Sequence, residues 1–374
     1  MNRIIAAAGL ALAFLVRPAV ATTPDRYTIP RACTAPSPER PVCLVERAWT
    51  ADEASQRLGA KDVAVFADGD VLTVIARRAQ GPVQLCCSIV APLTRIDGSD
   101  LWILSVSVFA LDRAIVDIEI QPSAFASMQA VYYGSLAPKP PAVASLAGRL
   151  IGETISSKAL GEPRRLTIYL PPGYDEAKRY PVVYMADGFA VTSYAAAIEA
   201  AIAAHEVRPL IVVGIWPGLG EKRGREYLPG RSVPRYAEHM DFVLNEVLPF
   251  VEAKYAPAAR REDRLIAGFS DGAAWALSTA LRHKEIFGGI VSMSLGWQQA
   301  AAGIDAADRP KLFLGSGLLE ADFSATTYQA FRRAGYGNNP VMFDGYTSGH
   351  ALVAWQSMLL DALRWFFPGD DPKK

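Results

Sequence analysis

The pentapeptide Gly268-Phe269-Ser270-Asp271-Gly272 constrains this chain more than any other stretch, because of what flanks it. Arg264-Leu265-Ile266-Ala267 before it has strand character, and Ala273-Ala274-Trp275-Ala276-Leu277 after it has helix character. A G-x-S-x-G sequence alone arises by chance in glycine-rich chains. At a strand-to-helix turn it acquires a mechanism: the glycines allow a sharp turn, and the serine is held in a strained conformation that projects its hydroxyl. The helix that follows also aims backbone N–H groups at developing negative charge, the electrostatic part of acyl transfer.

A nucleophilic serine needs a base, and in elbows of this kind the chain order is Ser, acid, His. His205 and His239 precede Ser270, and His283 stands at the far end of the following helix, about 20 Å away at about 1.5 Å per residue. His350 is left, within Tyr346-Thr347-Ser348-Gly349-His350, a loop of small residues that lets an imidazole reach back. The acid is expected just beyond the strand Lys311-Leu312-Phe313-Leu314, where Glu320 and Asp322 both qualify. Asp305 and Asp308 precede that strand, and Asp344 lies close to the end of the last one.

The rest of the chain agrees with such a site. From Arg164 onward strand signals (Arg164–Leu170, Val182–Met185, Leu210–Ile215, Arg264–Ala267, Gly289–Met293, Lys311–Leu314, Val341–Phe343) alternate with helix signals (Ser193–Glu206, Pro234–Lys254, Gly272–His283, Phe323–Ala334 and a last helix to Phe367). That alternation predicts an α/β domain with a mostly parallel sheet covered by helices. Before it, Val63–Phe66, Val71–Ala76, Val83–Val90, Leu101–Phe109 and Ala114–Ile120 are short β-branched or alternating runs separated by Asp, Gly and Pro. They predict a small antiparallel β-sandwich. Pro138-Lys139-Pro140-Pro141 continues neither strand nor helix, which sets the boundary near residue 145. The expected division is 1–21, 22–145 and 146–374.

Residues 1–21 read as a signal peptide: Asn2-Arg3, an apolar run Ile4–Val16, and Ala19-Val20-Ala21 in the A-x-A pattern. The apolar run is short for a bilayer, and no later stretch reaches about 18 uninterrupted apolar residues. Export to the periplasm or beyond is expected, with no membrane attachment after cleavage. Loss of Arg3 and Arg17 leaves a net charge of −2, which offers no broad basic field for nucleic acid. Export also permits disulfides among Cys33, Cys43, Cys86 and Cys87. A Cys86–Cys87 bond would have to close across α-carbons about 3.8 Å apart, below the usual span of about 4.4–6.8 Å, so pairing within or from the Cys33/Cys43 segment is expected. There is no C-x-x-C pair and no histidine near these cysteines, so no metal or other cofactor is called for.

Five ordered segments carry a resemblance to a known family: Ser157-Lys158-Ala159-Leu160-Gly161-Glu162-Pro163-Arg164 leading into Tyr169-Leu170-Pro171-Pro172-Gly173-Tyr174; Tyr180-Pro181-Val182-Val183-Tyr184-Met185-Ala186-Asp187-Gly188; the serine elbow; Gly317-Leu318-Leu319-Glu320; and Gly349-His350 followed by Trp355. Over roughly residues 150–367 the chain resembles the esterase branch of the α/β hydrolases typified by esterase D, most closely the enterochelin (ferric siderophore) esterases. The resemblance implies an α/β-hydrolase preceded by an immunoglobulin-like sandwich of the kind that covers the active site, also similar to starch-binding modules. It implies Glu320 as the acid beside Ser270 and His350, and the backbone N–H groups of Phe189 and Asp271 as the oxyanion hole. Ser294-Leu295-Gly296-Trp297 further resembles a loop of that family, which makes Trp297 either a pocket residue or a tryptophan packing the loop on the sheet's end. Lys222, Arg223, Arg225, Arg231 and Arg235 cluster in a loop on the ligand-binding side of such sheets, either to hold an anionic ferric catecholate or as an ordinary solvated loop balanced by Glu221 and Glu226.

The function these features imply is hydrolysis of a small-molecule carboxylic ester, with a ferric siderophore as the leading substrate. The alternatives are a carbohydrate-active esterase of feruloyl or acetyl xylan type, an acyltransferase, and, from another class, a non-catalytic binding protein. The oligomeric state is not encoded in any of these motifs.

Overall fold

The computed structural model describes residues 29–121, 128–141, 145–295, 309–320 and 341–370. The signal-peptide segment, Trp297, Asp322 and the helix expected over Phe323–Ala334 lie outside the described residues.

The first half folds as two sheets around one apolar core. Its strands are β1 (Arg31–Ala32), β2 (Val42–Leu44), β3 (Val63–Asp68), β4 (Val71–Arg77), β5 (Gln84–Cys87), β6 (Ala91–Pro92), β7 (Thr94–Arg95), β8 (Leu101–Val108), β9 (Ile115–Gln121) and β10 (Gln129–Tyr133). One sheet runs β1-β2-β8-β4-β3 with β7 added to β8, and the other runs β10-β9-β5-β6. Successive side chains of a strand point to opposite faces, so every second residue enters the core. Leu72, Val74 and Ala76 of β4, Leu104, Val106 and Val108 of β8, and Val116, Ile118 and Ile120 of β9 do so. Helix α1 (Ala51–Leu58) is started by a capping box in which Thr50 and Glu53 satisfy each other's backbone N–H groups. Cys33 and Cys43 form a disulfide with α-carbons 5.3 Å apart, within the segment where pairing is expected. Cys86 is also disulfide-bonded.

The second half is an α/β-hydrolase fold. Its strands are β11 (Arg149–Ser157), β12 (Glu162–Leu170), β13 (Val182–Ala186), β14 (Ile211–Ile215), β15 (Arg264–Phe269), β16 (Gly289–Met293), β17 (Lys311–Gly317) and β18 (Val341–Tyr346). They lie in the order β11-β12-β14-β13-β15-β16-β17-β18. From β14 to β18 neighbours run parallel, whereas β11 and β12 are antiparallel additions at one edge. β11 is an element the sequence did not announce, because an edge strand exposes every other residue and Arg149, Glu153 and Ser156 interrupt its apolar pattern. The central strands need no alternation: β13, β14 and β16 are buried at every position.

Helices α2 (Ala190–Ala203) and α7 (Leu352–Phe366) cover one face through Val191, Tyr194, Ile198, Met358 and Leu363. The other face is covered by α3 (Glu221–Tyr227), α4 (Val233–Phe242), α5 (Leu248–Lys254) and α6 (Asp271–Arg282), which bury Tyr227, Phe242, Val251 and Trp275. The single helix expected over Pro234–Lys254 is instead α4 and α5 joined by a π-helical turn at Val243–Val247. Pro249, in the first turn of α5, has no N–H to donate and crowds the carbonyl one turn back, so the widened turn falls where a regular ladder would clash.

His239 is fully buried on α4 among Tyr227, Phe242 and Trp275, and burial drives its pKa down from 6.5 to about 3, with Arg164 and Arg235 adding to the effect. It therefore stays neutral in the folded protein while the unfolded chain takes up a proton below about pH 6.5. The unfolded state binds more protons between about pH 3 and 6.5, so stability falls as pH drops through that window. A His239→Gln variant, measured by denaturant unfolding at pH 7 and pH 4.5, should lose less stability between the two values than wild type.

Candidate active site

All the candidate catalytic groups sit at the carboxyl ends of parallel strands, where open α/β sheets place their ligands. Ser270 links β15 to α6 with φ 56° and ψ −127°, a left-handed conformation that a non-glycine residue adopts only when its surroundings enforce it. The enforcement is visible at Gly268, where a Cβ would stand 2.2 Å from the carbonyl oxygen of Gly272. The Ser270 N–H is tied to the Met293 carbonyl at 3.0 Å, which docks the elbow on β16.

His350 follows β18 and reaches across so that its Nε2 lies 3.0 Å from Ser270 Oγ. Its Nδ1 lies 2.8 Å from Oε2 of Glu320, a fully enclosed carboxylate in the 3-10 turn after β17. The other oxygen of Glu320 accepts a hydrogen bond from Ser294 Oγ at 2.7 Å, and Ser294 in turn accepts one from Trp355 Nε1 at 2.7 Å. Ser294 also has a positive φ, 50°. The indole of Trp355 meets the His350 ring edge to face at 4.7 Å and stacks on Phe269 at 4.2 Å. Ser270, His350 and Glu320, named from the sequence, are thus brought together in one hydrogen-bonded line.

Phe189 and Asp271 open the helices that follow β13 and β15, at the positive ends of α2 and α6. The turn before Phe189 carries Asp187, fully buried with φ 56°. Its N–H donates to the Tyr227 hydroxyl, and its carboxylate receives Arg223 through Nε at 2.7 Å and Nη2 at 2.8 Å. Burial pushes the Asp187 pKa up and Arg223 works against that shift. Arg223 also reaches Asp271 Oδ2 at 3.2 Å, so one guanidinium clamps the two turns that carry the candidate oxyanion donors.

Of the basic cluster, it is therefore Arg223 that the fold brings to the site. Arg225 is exposed on α3 and paired with Glu221 one turn away, Lys222 pairs with Glu162, and Arg235 is held by Glu162, Glu226 and Glu238. Fully buried Glu226 also receives Arg164 and accepts the Gly218 N–H. The cluster is largely neutralised by its own carboxylates. Ser294 as a partner of the acid and Arg223 as a clamp were not legible beforehand, since both depend on residues far apart in the chain. Among the described residues no group of His, Cys, Asp and Glu could hold a metal ion, and no helix is long and apolar enough to cross a membrane.

A serine elbow, an imidazole and a carboxylate in this order on a mostly parallel sheet define the class: an α/β hydrolase. A family model of putative esterases matches residues 157–366, more than half of the chain, and the chain belongs to that family. Among curated relatives it is 28% identical over 141 residues to an uncharacterized Bacillus subtilis (strain 168) protein, covering 37% of this chain and 58% of that protein. It is 26% identical over 227 residues to an endo-1,4-beta-xylanase/feruloyl esterase of Xylanibacter ruminicola, covering 57% of this chain and 30% of that one. The crystal structure of the enterobactin esterase from Shigella flexneri, determined in the presence of enterobactin, superposes with a TM-score of 0.66 at 16% identity, over 82% of this chain and 96% of the other. A ferric enterobactin esterase from Salmonella typhimurium gives 0.65 at 16% identity, over 82% of this chain and 96% of that one.

The ion pairs make contrasting predictions. Glu226→Ala removes the fully buried carboxylate that Arg164 and Arg235 share, leaves buried Arg164 with only the half-exposed Glu162, and should cost about 3–5 kcal/mol in denaturant unfolding. Arg225→Ala removes an exposed pair and should change stability by no more than about 0.5 kcal/mol.

Proposed function

We propose that the protein is a serine-dependent carboxylic ester hydrolase. The observation that carries this reading is the unbroken line from Ser270 Oγ through His350 to Glu320 Oε2, with contacts of 3.0 Å and 2.8 Å. Ser270 Oγ attacks the ester carbonyl as its proton passes to His350 Nε2. The N–H groups of Phe189 and Asp271 receive the developing oxyanion, and Arg223 keeps their two turns in register. His350 then protonates the leaving alcohol, and a water activated by the same imidazole releases the acid. Glu320 accepts a hydrogen bond from the Nδ1–H of His350, which fixes the tautomer and stabilises the imidazolium, while Ser294 holds the other carboxylate oxygen.

For the substrate we propose an ester of a molecule bearing hydroxylated aromatic acyl groups. Phe189, partly exposed, meets Phe269 and Trp216 edge to face at 6.3 Å and 5.8 Å, which puts an aromatic wall beside the elbow. A catecholate siderophore ester is the first reading, supported by the resemblance to the enterobactin esterases across both halves of the chain. A feruloyl ester of a carbohydrate is the second, favoured by the internal pairing of Arg225 and Arg235, which are held by glutamates of the protein itself. An exported location is part of the proposal, and the Cys33–Cys43 disulfide suits an oxidising compartment.

The test is turnover by purified protein of p-nitrophenyl acetate, ferric and iron-free enterobactin, and feruloylated or acetylated xylan fragments. Product analysis separates hydrolysis from transfer to a sugar hydroxyl. Ser270→Ala should abolish turnover with an unchanged melting curve, and Glu320→Gln should lose on the order of 10²–10⁴ in kcat, far more than Asp322→Asn. Wild-type rates in folded Ser270→Ala, or turnover of none of these esters, would remove the reading.

A further inference from the structure

The residues that surround the triad divide between the two halves of the molecule in an uneven way. Ser270 is set by elements of the hydrolase sheet, β15, α6 and the Met293 carbonyl of β16. The loops that carry His350 and Glu320, besides their contacts to Trp355 and Ser294, are also built against the sandwich. The N–H of Ile115, first residue of β9, donates to the Thr347 carbonyl at 3.0 Å, and Ile115 and Ser348 form a parallel bridge. Gly349, the residue before His350, lies so close to Ser88 that a Cβ there would stand 2.3 Å from the Ser88 α-carbon. Ser88 is itself fixed, buried and accepting the Asp117 N–H on its hydroxyl at 3.1 Å. Leu319, the residue before Glu320, is fully buried in the sandwich core with residues such as Leu72, Val106 and Ile118. Its N–H donates to the Ser348 carbonyl at 3.0 Å, which joins the acid turn to the base loop.

We propose that the sandwich is a positioning element of the active site: β9 and Ser88 set the His350 loop, and the Leu319 side chain anchored in the sandwich core sets Glu320. This deepens the esterase reading and rests on it. The base loop then rests on the sandwich as well as on Trp355 of α7, and its 3.0 Å contact with Ser270 reports how the two halves are seated. Catalysis by a preassembled triad is sensitive to displacements of about 1 Å, so a fault at the sandwich residues that touch the His350 loop or seat Leu319 should appear in kcat on even the smallest ester, without contact between sandwich and substrate.

The experiment compares Ile115→Pro with Val74→Ala in the full chain. Ile115→Pro deletes the N–H that holds Thr347, touches no triad residue, and is preceded by Ala114 in the extended conformation that proline tolerates. Val74→Ala opens a cavity in the same sandwich core on the opposite sheet. The readouts are kcat and KM on p-nitrophenyl acetate, the melting temperature, and the proton resonance of the His350 Nδ1–H that Glu320 accepts. Ile115→Pro should lower kcat about 10- to 100-fold with KM within about twofold, and should shift or broaden that resonance. Val74→Ala should lower the melting temperature while leaving kcat and the resonance as in wild type. Where Ile115→Pro does not fold, Leu319→Ala takes its place with the same expectation. Equal kcat in the two variants, or an unchanged resonance in Ile115→Pro, would overturn the proposal. A wild type that hydrolyses no ester would defeat the esterase reading instead, and the resonance would still report on the seating.

Discussion

The left-handed turn at Ser270 is the constraint on which the rest of the site depends. A serine at φ 56° is held there because β15 and α6 approach so closely that Gly268 admits no side chain against the Gly272 carbonyl, while a Cβ at Gly272 would press on Ala186 and Asp187 at the end of β13. That approach lifts the hydroxyl out of the sheet's end and leaves the amino-terminal end of α6 directly behind it. The other groups are arranged around this fixed point: Glu320 from the next strand but one, His350 from the strand beyond, and Asp187 from the strand on the other side. Each arrives at a strand's carboxyl end, so the order of strands in the sheet determines which side of the serine the base occupies.

The charges around the site follow the same economy. A fully buried carboxylate at Asp187 is tolerable because Arg223 meets it with two nitrogens in the planar geometry that guanidinium and carboxylate share. Extending the same guanidinium to Asp271 links the turns before α2 and α6. Charge that the sequence left open as either an anion site or a loop balanced by its own carboxylates is paired inside the protein, in the Arg223 clamp and in the network of Arg164, Arg235, Glu162 and Glu226. Among the described residues, Phe189, Phe269 and Trp216 stand beside the elbow, with the Arg165 guanidinium over Trp216.

The parts of this account that were legible in the sequence are those whose signal is local. Gly268 to Gly272 announces its own turn, His350 is reached by elimination and chain order, and the apolar runs of β13 to β16 mark buried parallel strands because both of their faces are covered. The parts that were not legible are contacts between distant segments. Ser294 meets Glu320 across 26 residues, Arg223 meets Asp187 across 36, and Leu319 enters a core otherwise built from residues before 130. No spacing rule connects such pairs, because the sheet order that brings them together is itself a product of packing. The edge strand β11 and the π-helical turn before Pro249 were lost for a related reason: an edge strand carries a diluted apolar pattern, and a widened helical turn keeps nearly the same periodicity as a regular one.

The central claim, that Ser270 is a nucleophile activated by His350, is tested most directly by covalent capture. Treating the intact protein with an organophosphorus ester and mapping the adduct by peptide mass spectrometry reads the nucleophile without assuming a substrate. The account predicts a single adduct on Ser270, formed far more slowly when His350 is replaced by alanine. No adduct, or one formed on another residue at the wild-type rate, would contradict it.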